Sequence, residues 1–227
     1  MNHIAITTAF LIIGLPSPSI AQGDERHFDV GRFDAIDLAG SDTVRVVAGN
    51  EFSVVATGEP TALAALSVSV RGATLRVARQ EGRSHGRGAV LTVTMPSMRS
   101  AIISGSGAIS IGPMTGPAFS GNISGSGSLK LTGLRVRTVR FGISGAGTIV
   151  AQGGAETVGI DLSGTGRVDS RELATQVVSV DMSGAGSILA AASRSATVRA
   201  GGSGKISVTG GARCEVHNGG GAVVRCA

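Results

Sequence analysis

Apolar and polar residues alternate in short segments that recur along the second half of the chain. In five such segments every second position is apolar, with Gly121 as the one exception, and no large apolar residue lies between them. A period of two residues is typical of a β-strand that buries one face, so each segment is predicted to be a strand. The alternating positions are Phe119, Gly121 and Ile123; Val139, Phe141 and Ile143; Val158, Ile160 and Leu162; Val178, Val180 and Met182; and Ala196, Val198 and Ala200.

A glycine-rich corner motif follows each of these strands. Its successive copies are separated by 20, 20, 19, 20, 18 and 17 residues, and the second residue after every copy is apolar. Such a fixed period indicates a repeat architecture. The copies are Ser104-Gly-Ser-Gly107, Ser124-Gly-Ser-Gly127, Ser144-Gly-Ala-Gly147, Ser163-Gly-Thr-Gly166 and Ser183-Gly-Ala-Gly186, with degenerate forms at Gly201-Gly-Ser-Gly204 and Asn218-Gly-Gly-Gly221.

The repeat predicts how the strands are arranged. Strands with no helical segment between them exclude βαβ units, whose crossovers need a helix. We expect an all-β fold, a right-handed parallel β-helix (β-solenoid) with about 20 residues per rung. Glycine is expected at the corners because a positive φ or a close backbone approach would penalise a Cβ atom, whereas a phosphate-binding loop would need a following helix. The corner glycines are Gly105, Gly107, Gly125, Gly127, Gly145, Gly147, Gly164, Gly166, Gly184 and Gly186.

The N-terminal part of the domain is less regular. Residues 31–100 are predicted to form a β-rich cap over the open end of the solenoid, and residues 101–227 to form the regular rungs of the same single domain. A short helix is expected at Pro60–Ala65, because proline is favoured at a first helical position and alanine and leucine follow it. The predicted strands of the cap are Phe33–Leu38, Thr43–Val47, Phe52–Ala56, Leu66–Val70, Thr74–Ala78 and Val90–Met95.

The beginning of the chain resembles an export signal. The apolar run Ile4–Leu15 is too short to span a bilayer, two prolines end it, and small residues precede a cleavage site after Ala21. Residues 1–21 are therefore predicted to be a signal peptide and residues 22–30 a linker. We expect a periplasmic or extracellular protein that is not an integral membrane protein.

The chain has two cysteines, Cys214 and Cys226, both near the C-terminal end. In an exported protein, an even pair is more readily a disulfide than a metal or redox site. The pair is predicted to clasp the last turn, and two unpaired thiols are the alternative.

The net charge of +5 is unevenly distributed. Residues 22–60 hold eight acidic and three basic residues, whereas the rest of the chain holds seven acidic and seventeen basic residues. An arginine-rich section predicts an anionic partner such as lipopolysaccharide or a polyanionic glycan; the alternative is a solvated loop with exposed strand faces that discourage edge pairing. Nucleic acid is not expected, since the chain has no Trp or Tyr on which bases could stack. The candidate anion-binding residues are Arg76, Arg79, Arg83 and Arg87.

Candidate chemistry is sparse. Asp161 and Asp181 occupy the same outward column one rung apart, where two carboxylates could share a cation or a proton, and Arg199 follows them. The alternative is an ordinary polar outer face. The three histidines after residue 21 are far apart, and the corners lack the Asp of calcium-binding nonapeptides, so no metal site is predicted. We assign no catalytic or cofactor-binding residue and expect no cofactor and no enzymatic activity.

From about residue 31 to its end, the chain resembles the bacterial head GIN domain family, described as an auto-transporter adhesin head. The resemblance implies a secreted or periplasmic β-solenoid and supplies no catalytic residue. It rests on Phe33-Asp-Ala-Ile-Asp-Leu-Ala-Gly40, Val44-Arg-Val46 followed by Gly49-Asn-Glu-Phe52, Gly72-Ala-Thr-Leu75, Met95-Pro-Ser97 and the succession of Ser-Gly-x-Gly corners.

The expected function is that of a non-enzymatic envelope or extracellular protein with adhesin-like surface interactions. The alternatives are a carbohydrate-active enzyme on a β-helix scaffold and a binder of anionic envelope glycans through the arginine-rich section. The candidate partners are an envelope glycan, a surface protein or a second copy of the chain.

Overall fold

A computed structural model describes residues 24–80 and 88–227. These residues form a β-solenoid built on one 18-stranded sheet, which confirms the predicted fold class. The predicted signal peptide and most of the arginine-rich loop lie outside the described residues. Within the part of the chain that is described, no helix is long and apolar enough to cross a membrane.

Strands make up most of the structure, and the one helix in the described residues has the predicted bounds. The elements are β1 Asp24–Phe28, β2 Ala35–Gly40, β3 Thr43–Ala48, β4 Ser53–Gly58, α1 Pro60–Ala65, β5 Leu66–Arg71, β6 Thr74–Arg79, β7 Val90–Met95, β8 Ser100–Gly105, β9 Ala108–Ile111, β10 Met114–Gly125, β11 Ser128–Gly145, β12 Thr148–Gly164, β13 Arg167–Gly184, β14 Ser187–Ala191, β15 Ser195–Ala200, β16 Lys205–Thr209, β17 Arg213–Asn218 and β18 Val223–Cys226.

The repeats stack in parallel and in register. In the strands that lead into each corner, which we call face A, Gly125 is paired with Gly145, Gly145 with Gly164, and Gly164 with Gly184. The strands that leave each corner, face B, are likewise paired parallel from β9 through β11, β12 and β13. Each repeat of the sequence is therefore one rung of the solenoid.

The apolar columns of the sequence form the core. Phe141, Ile160, Val180 and Val198 are in register from one strand to the next, and each is at most 1% exposed. Equivalent side chains of parallel strands point the same way, so the column is continuous through the interior. The inward and outward faces are those that the alternation predicts.

Parallel stacking extends into residues 35–95. The segment β2–β3 lies between β6–β7 on one side and β8–β9 on the other, and all four of these contacts are parallel. The order of the rungs therefore differs from their order in the sequence. Antiparallel pairing among the described residues is confined to β1, β4 and β5 and the strands they contact, β6 and β7.

The predicted disulfide between Cys214 and Cys226 is formed. Cys214 is in register with Ala196, and Cys226 with Val208, and both of those residues are buried and face the interior. The bridge consequently joins face A to face B across the core, at the last rung of the described sheet.

The corner glycines meet two different constraints. Gly145 has a φ of +129°, and a Cβ atom there would lie 2.6 Å from the carbonyl oxygen of Gly125 in the rung below. At Gly147, a Cβ atom would lie 2.6 Å from the side chain of Ile123 and 3.0 Å from the oxygen of Gly127. The first corner glycine is therefore required by its conformation and by a backbone contact, and the second by close approach of its surroundings.

We expect Gly145→Val to destabilise the protein by about 2 kcal/mol or more, because valine is strained at positive φ and would clash with the neighbouring rung. Gly159→Val is the matched control, since a Cβ atom at Gly159 would meet nothing closer than 3.9 Å. Its expected effect is neutral or stabilising by up to about 1 kcal/mol. Urea unfolding of both variants provides the measurement, and equal effects would contradict the assigned constraint.

The inward and outward assignment is tested at two adjacent residues. Ile160→Asp places a carboxylate in the aliphatic column and should cost several kcal/mol of unfolding free energy, roughly the penalty of an unpaired buried polar group or more. Asp161→Ser changes an exposed side chain and should cost less than about 1 kcal/mol. Similar melting temperatures for the two variants would show that the faces are wrongly assigned.

Candidate ligand-binding grooves

The polar column predicted around Asp161 and Asp181 lines a groove on face A, which we call the serine groove. It is about 590 Å³ and is bordered by the serines that begin four successive corner motifs. Asp161 is in register with Asp181, Asp181 with Arg199, and Arg199 with His217. The bordering hydroxyls belong to Ser124, Ser144, Ser163 and Ser183.

Charges in the serine groove are weakly paired. The Arg199 and Asp181 side chains are 3.9 Å apart and about half exposed, so their attraction is largely screened by solvent. Asp161 is exposed and has no ion pair within the described part of the chain, and the four bordering serines are exposed as well. These groups are available for hydrogen bonds with a polar ligand such as a carbohydrate.

Other acidic and imidazole groups do not complete a catalytic set in this groove. Asp169 accepts two hydrogen bonds from Arg171, at 2.9 and 2.7 Å, and these bonds are the main cause that lowers the pKa of Asp169. His217 is hydrogen-bonded to Glu215 of its own strand at 2.9 Å. Across residues 24–80 and 88–227, no three or more His, Cys, Asp or Glu side chains are close enough to hold a metal ion.

A second and larger groove, the bend trough, follows the line where the long strands turn toward face A. It is about 1190 Å³ and runs across successive rungs. Its floor is formed by small or buried residues at equivalent positions, and charged and amide side chains border it. The floor contains Gly116, Val136, Ala155 and Thr175, and the border contains Arg135, Arg137, Glu156 and Gln176.

Two irregularities of register lie beside the bend. The pairing of β11 with β12 shifts between Leu131 and Leu134, and that of β12 with β13 shifts between Val150 and Gln152. Gly153 has a φ of +132°, and a Cβ atom there would overlap the backbone oxygen of Leu134. Both irregularities belong to one rung, β12, which is a residue shorter than its neighbours at this point, and such bulges bend a strand locally. The trough was not predicted from the sequence; the 19-residue spacing from Ser144 to Ser163 is its one trace there.

The predicted anion-binding arginines have different surroundings. Arg76 is half exposed and paired with Asp37 at 3.0 Å, while Arg79 lies almost buried and donates two hydrogen bonds to Asp42. Hydrogen bonding to Asp42 raises the pKa of the Arg79 guanidinium, and the Asp42 carboxylate also accepts the backbone N–H of Ala89 at 2.8 Å. Arg79 thus supports the fold near the first corner and has little surface for a dissolved anion. Arg83 and Arg87 lie outside the described residues.

The fold that carries these grooves is also found in known proteins. A family described as "Putative auto-transporter adhesin, head GIN domain" matches residues 32–212. The crystal structure of a "putative adhesin" from Bacteroides fragilis has a TM-score of 0.85 at 19% identity, covering 91% of this chain and 98% of that one. No curated protein matches the sequence significantly.

Two further crystal structures share the fold. A "putative lipid binding protein" from Parabacteroides distasonis has a TM-score of 0.68 at 16% identity, with 92% of this chain and 98% of that chain covered. A "putative adhesin" from Parabacteroides merdae has a TM-score of 0.63 at 16% identity, with 92% and 97% covered. At these identities, the likeness concerns the fold.

The structural role of the Arg79–Asp42 pair predicts a difference between two aspartates. Asp42→Ala removes a buried carboxylate that accepts two hydrogen bonds from the nearly buried Arg79 and one from the backbone of Ala89, and it should destabilise the protein by about 3–5 kcal/mol. Asp37→Ala removes the partly buried partner of the half-exposed Arg76, whose charge stays in contact with water, and should cost at most about 1 kcal/mol. Denaturant unfolding at pH 7 measures both, and a small loss for Asp42→Ala would show that the buried pair is dispensable.

Proposed function

The chain belongs to the head GIN domain family, and from this membership we propose that it is a non-enzymatic, exported protein that makes adhesin-like contacts through the sides of its solenoid. The observation that carries the proposal is the serine groove. It presents hydroxyl, carboxylate and guanidinium groups from successive rungs on one continuous outer surface. Such a row of exposed polar groups suits an extended, hydrogen-bonding partner better than a small molecule in an enclosed pocket.

The proposed location is the periplasm or the extracellular side of the envelope. The leader-like pattern of residues 1–21 supports export. The Cys214–Cys226 disulfide supports an oxidising compartment, because such bonds are rarely maintained in the cytosol of mesophiles. Both features agree with the description of the family as an adhesin.

A non-enzymatic role is favoured by the surroundings of the two aligned aspartates. Glycosidases use a pair of carboxyl groups, one of which is kept protonated by its environment. Asp161 is exposed and the Asp181 side chain is 48% exposed, so neither has the desolvated environment that such an acid requires. Binding of a polar ligand makes no such demand.

The test is a glycan array probed with the protein from residue 22 onward, followed by product analysis of each oligosaccharide that is retained. We expect reproducible retention of at least one glycan class, with every retained oligosaccharide recovered at its original length. Shortened products that disappear in an Asp161→Asn, Asp181→Asn double variant would replace the proposal with a catalytic function. A blank array together with no attachment to bacterial or host cell surfaces would refute adhesion.

A further inference from the structure

The bend trough contains glycines that the fold does not require. A Cβ atom at Gly116 would have no neighbour within 4 Å, and one at Gly154 would meet only the backbone oxygen of Ala174 at 4.0 Å. Neither residue has a positive φ. Glycine weakens the interior of a strand, and a side chain at either position would project into open space. The absence of side chains there keeps the trough open, in contrast to the corner glycines, where a Cβ atom would clash.

The bordering charges of the trough are predominantly positive. Arg135 and Arg137 are exposed, and neither forms a salt bridge with any described residue. Glu156 is at the position next to Arg137 in the adjacent rung, whereas Arg135 is in register with Thr115 on one side and Gly154 on the other. Arg135 therefore has no acidic neighbour in its column, directly beside a glycine that leaves space.

Arg135 lies within the path of the groove and not at its end. It lines the bend trough and also a second depression of about 480 Å³, which continues toward Pro96 and Ala48. From Gly116 to Ser193, the trough crosses four rung spacings, or about 19 Å at ~4.8 Å per rung. A ligand that fills this path would place an anionic group in its interior and extend in both directions from it.

On these observations we propose that the bend trough binds an acidic oligosaccharide, with a carboxylate or sulfate of an internal sugar unit at Arg135. This inference rests on the proposed adhesin-like function and adds to the serine groove a second binding surface with a named ligand class. The C–H face of a sugar chain can cover the small apolar floor while its hydroxyls stay in water along the open side. An acyl chain would leave much of its apolar surface exposed in so open a groove and would carry its charge at one end.

The experiment measures binding of the protein from residue 22 onward to four probes by calorimetry. Polygalacturonate oligomers carry carboxylates, heparin oligosaccharides carry sulfates as well, cello-oligosaccharides are neutral, and phosphatidylglycerol vesicles present an anionic lipid. We expect at least one acidic oligosaccharide to bind, with affinity that falls as salt is raised. The neutral sugar and the vesicles are expected to bind at least tenfold more weakly.

Matched variants locate the site. Arg135→Gln and Gly154→Val should each weaken binding of the acidic oligosaccharide at least tenfold, and Gly154→Val should leave the melting temperature unchanged or raised. Arg140→Gln removes an exposed arginine of the same strand outside the trough, and Gly159→Val adds a side chain to another unobstructed glycine; both should bind like the wild type.

Each other outcome has a definite meaning. Acidic oligosaccharides that bind equally to Arg135→Gln and Gly154→Val would overturn the trough as their site and leave the adhesin-like function intact. Equal affinity for the neutral sugar would overturn the role of the anionic group. Binding of the vesicles alone would assign the surface to lipid, and no binding of any probe would overturn the inference, whereas the proposed function is decided by the array and cell attachment.

Discussion

The structure depends on one constraint, the in-register hydrogen bonding of each rung to the next. At the corners, the backbone N–H groups of Ser126, Ala146 and Thr165 each donate to a glycine oxygen of the preceding rung at 2.9 Å. Backbones held this closely leave no room for a Cβ atom at the paired glycines. The repeating Ser-Gly-x-Gly motif is therefore a steric requirement of the stacking, repeated once per rung.

The same stacking brings charged residues that are far apart in the sequence next to one another. Asp34, Asp37 and Asp42 lie at the start of the domain, and each is paired with an arginine further along the sequence, at positions 99, 76 and 79. Acidic residues from early in the sequence thus lie beside basic residues from later in the sequence, and these opposite charges offset each other around the first rungs. Arg135 and Arg137 at the bend form no such ion pair with any described residue.

The features that were predicted correctly each follow from a pattern that is visible in the sequence. Alternation predicted the fold class, a proline followed by alanine and leucine predicted the helix Pro60–Ala65, and an even pair of cysteines predicted the Cys214–Cys226 bond. The insertion of β2–β3 between two later rungs was not predicted, since alternation defines faces but not neighbours. The burial of Arg79 was also missed, although its phase with Leu75 and Val77 in β6 places it on the inward side. The trough was not predicted either, and the register shifts beside it leave almost no trace in the repeat spacing.

The role of a glycine in such a repeat protein can be inferred only from its surroundings. At Gly145, glycine is required by its φ and by a neighbouring backbone oxygen, whereas a Cβ atom at Gly154 would meet only the backbone oxygen of Ala174, at 4.0 Å. A strand glycine without a steric reason costs stability, and at Gly154 the missing side chain leaves open space beside Arg135. The corner glycines serve the stacking, whereas Gly116 and Gly154 in the bend trough do not, and Gly154 is in register with Arg135, which forms no salt bridge with any described residue.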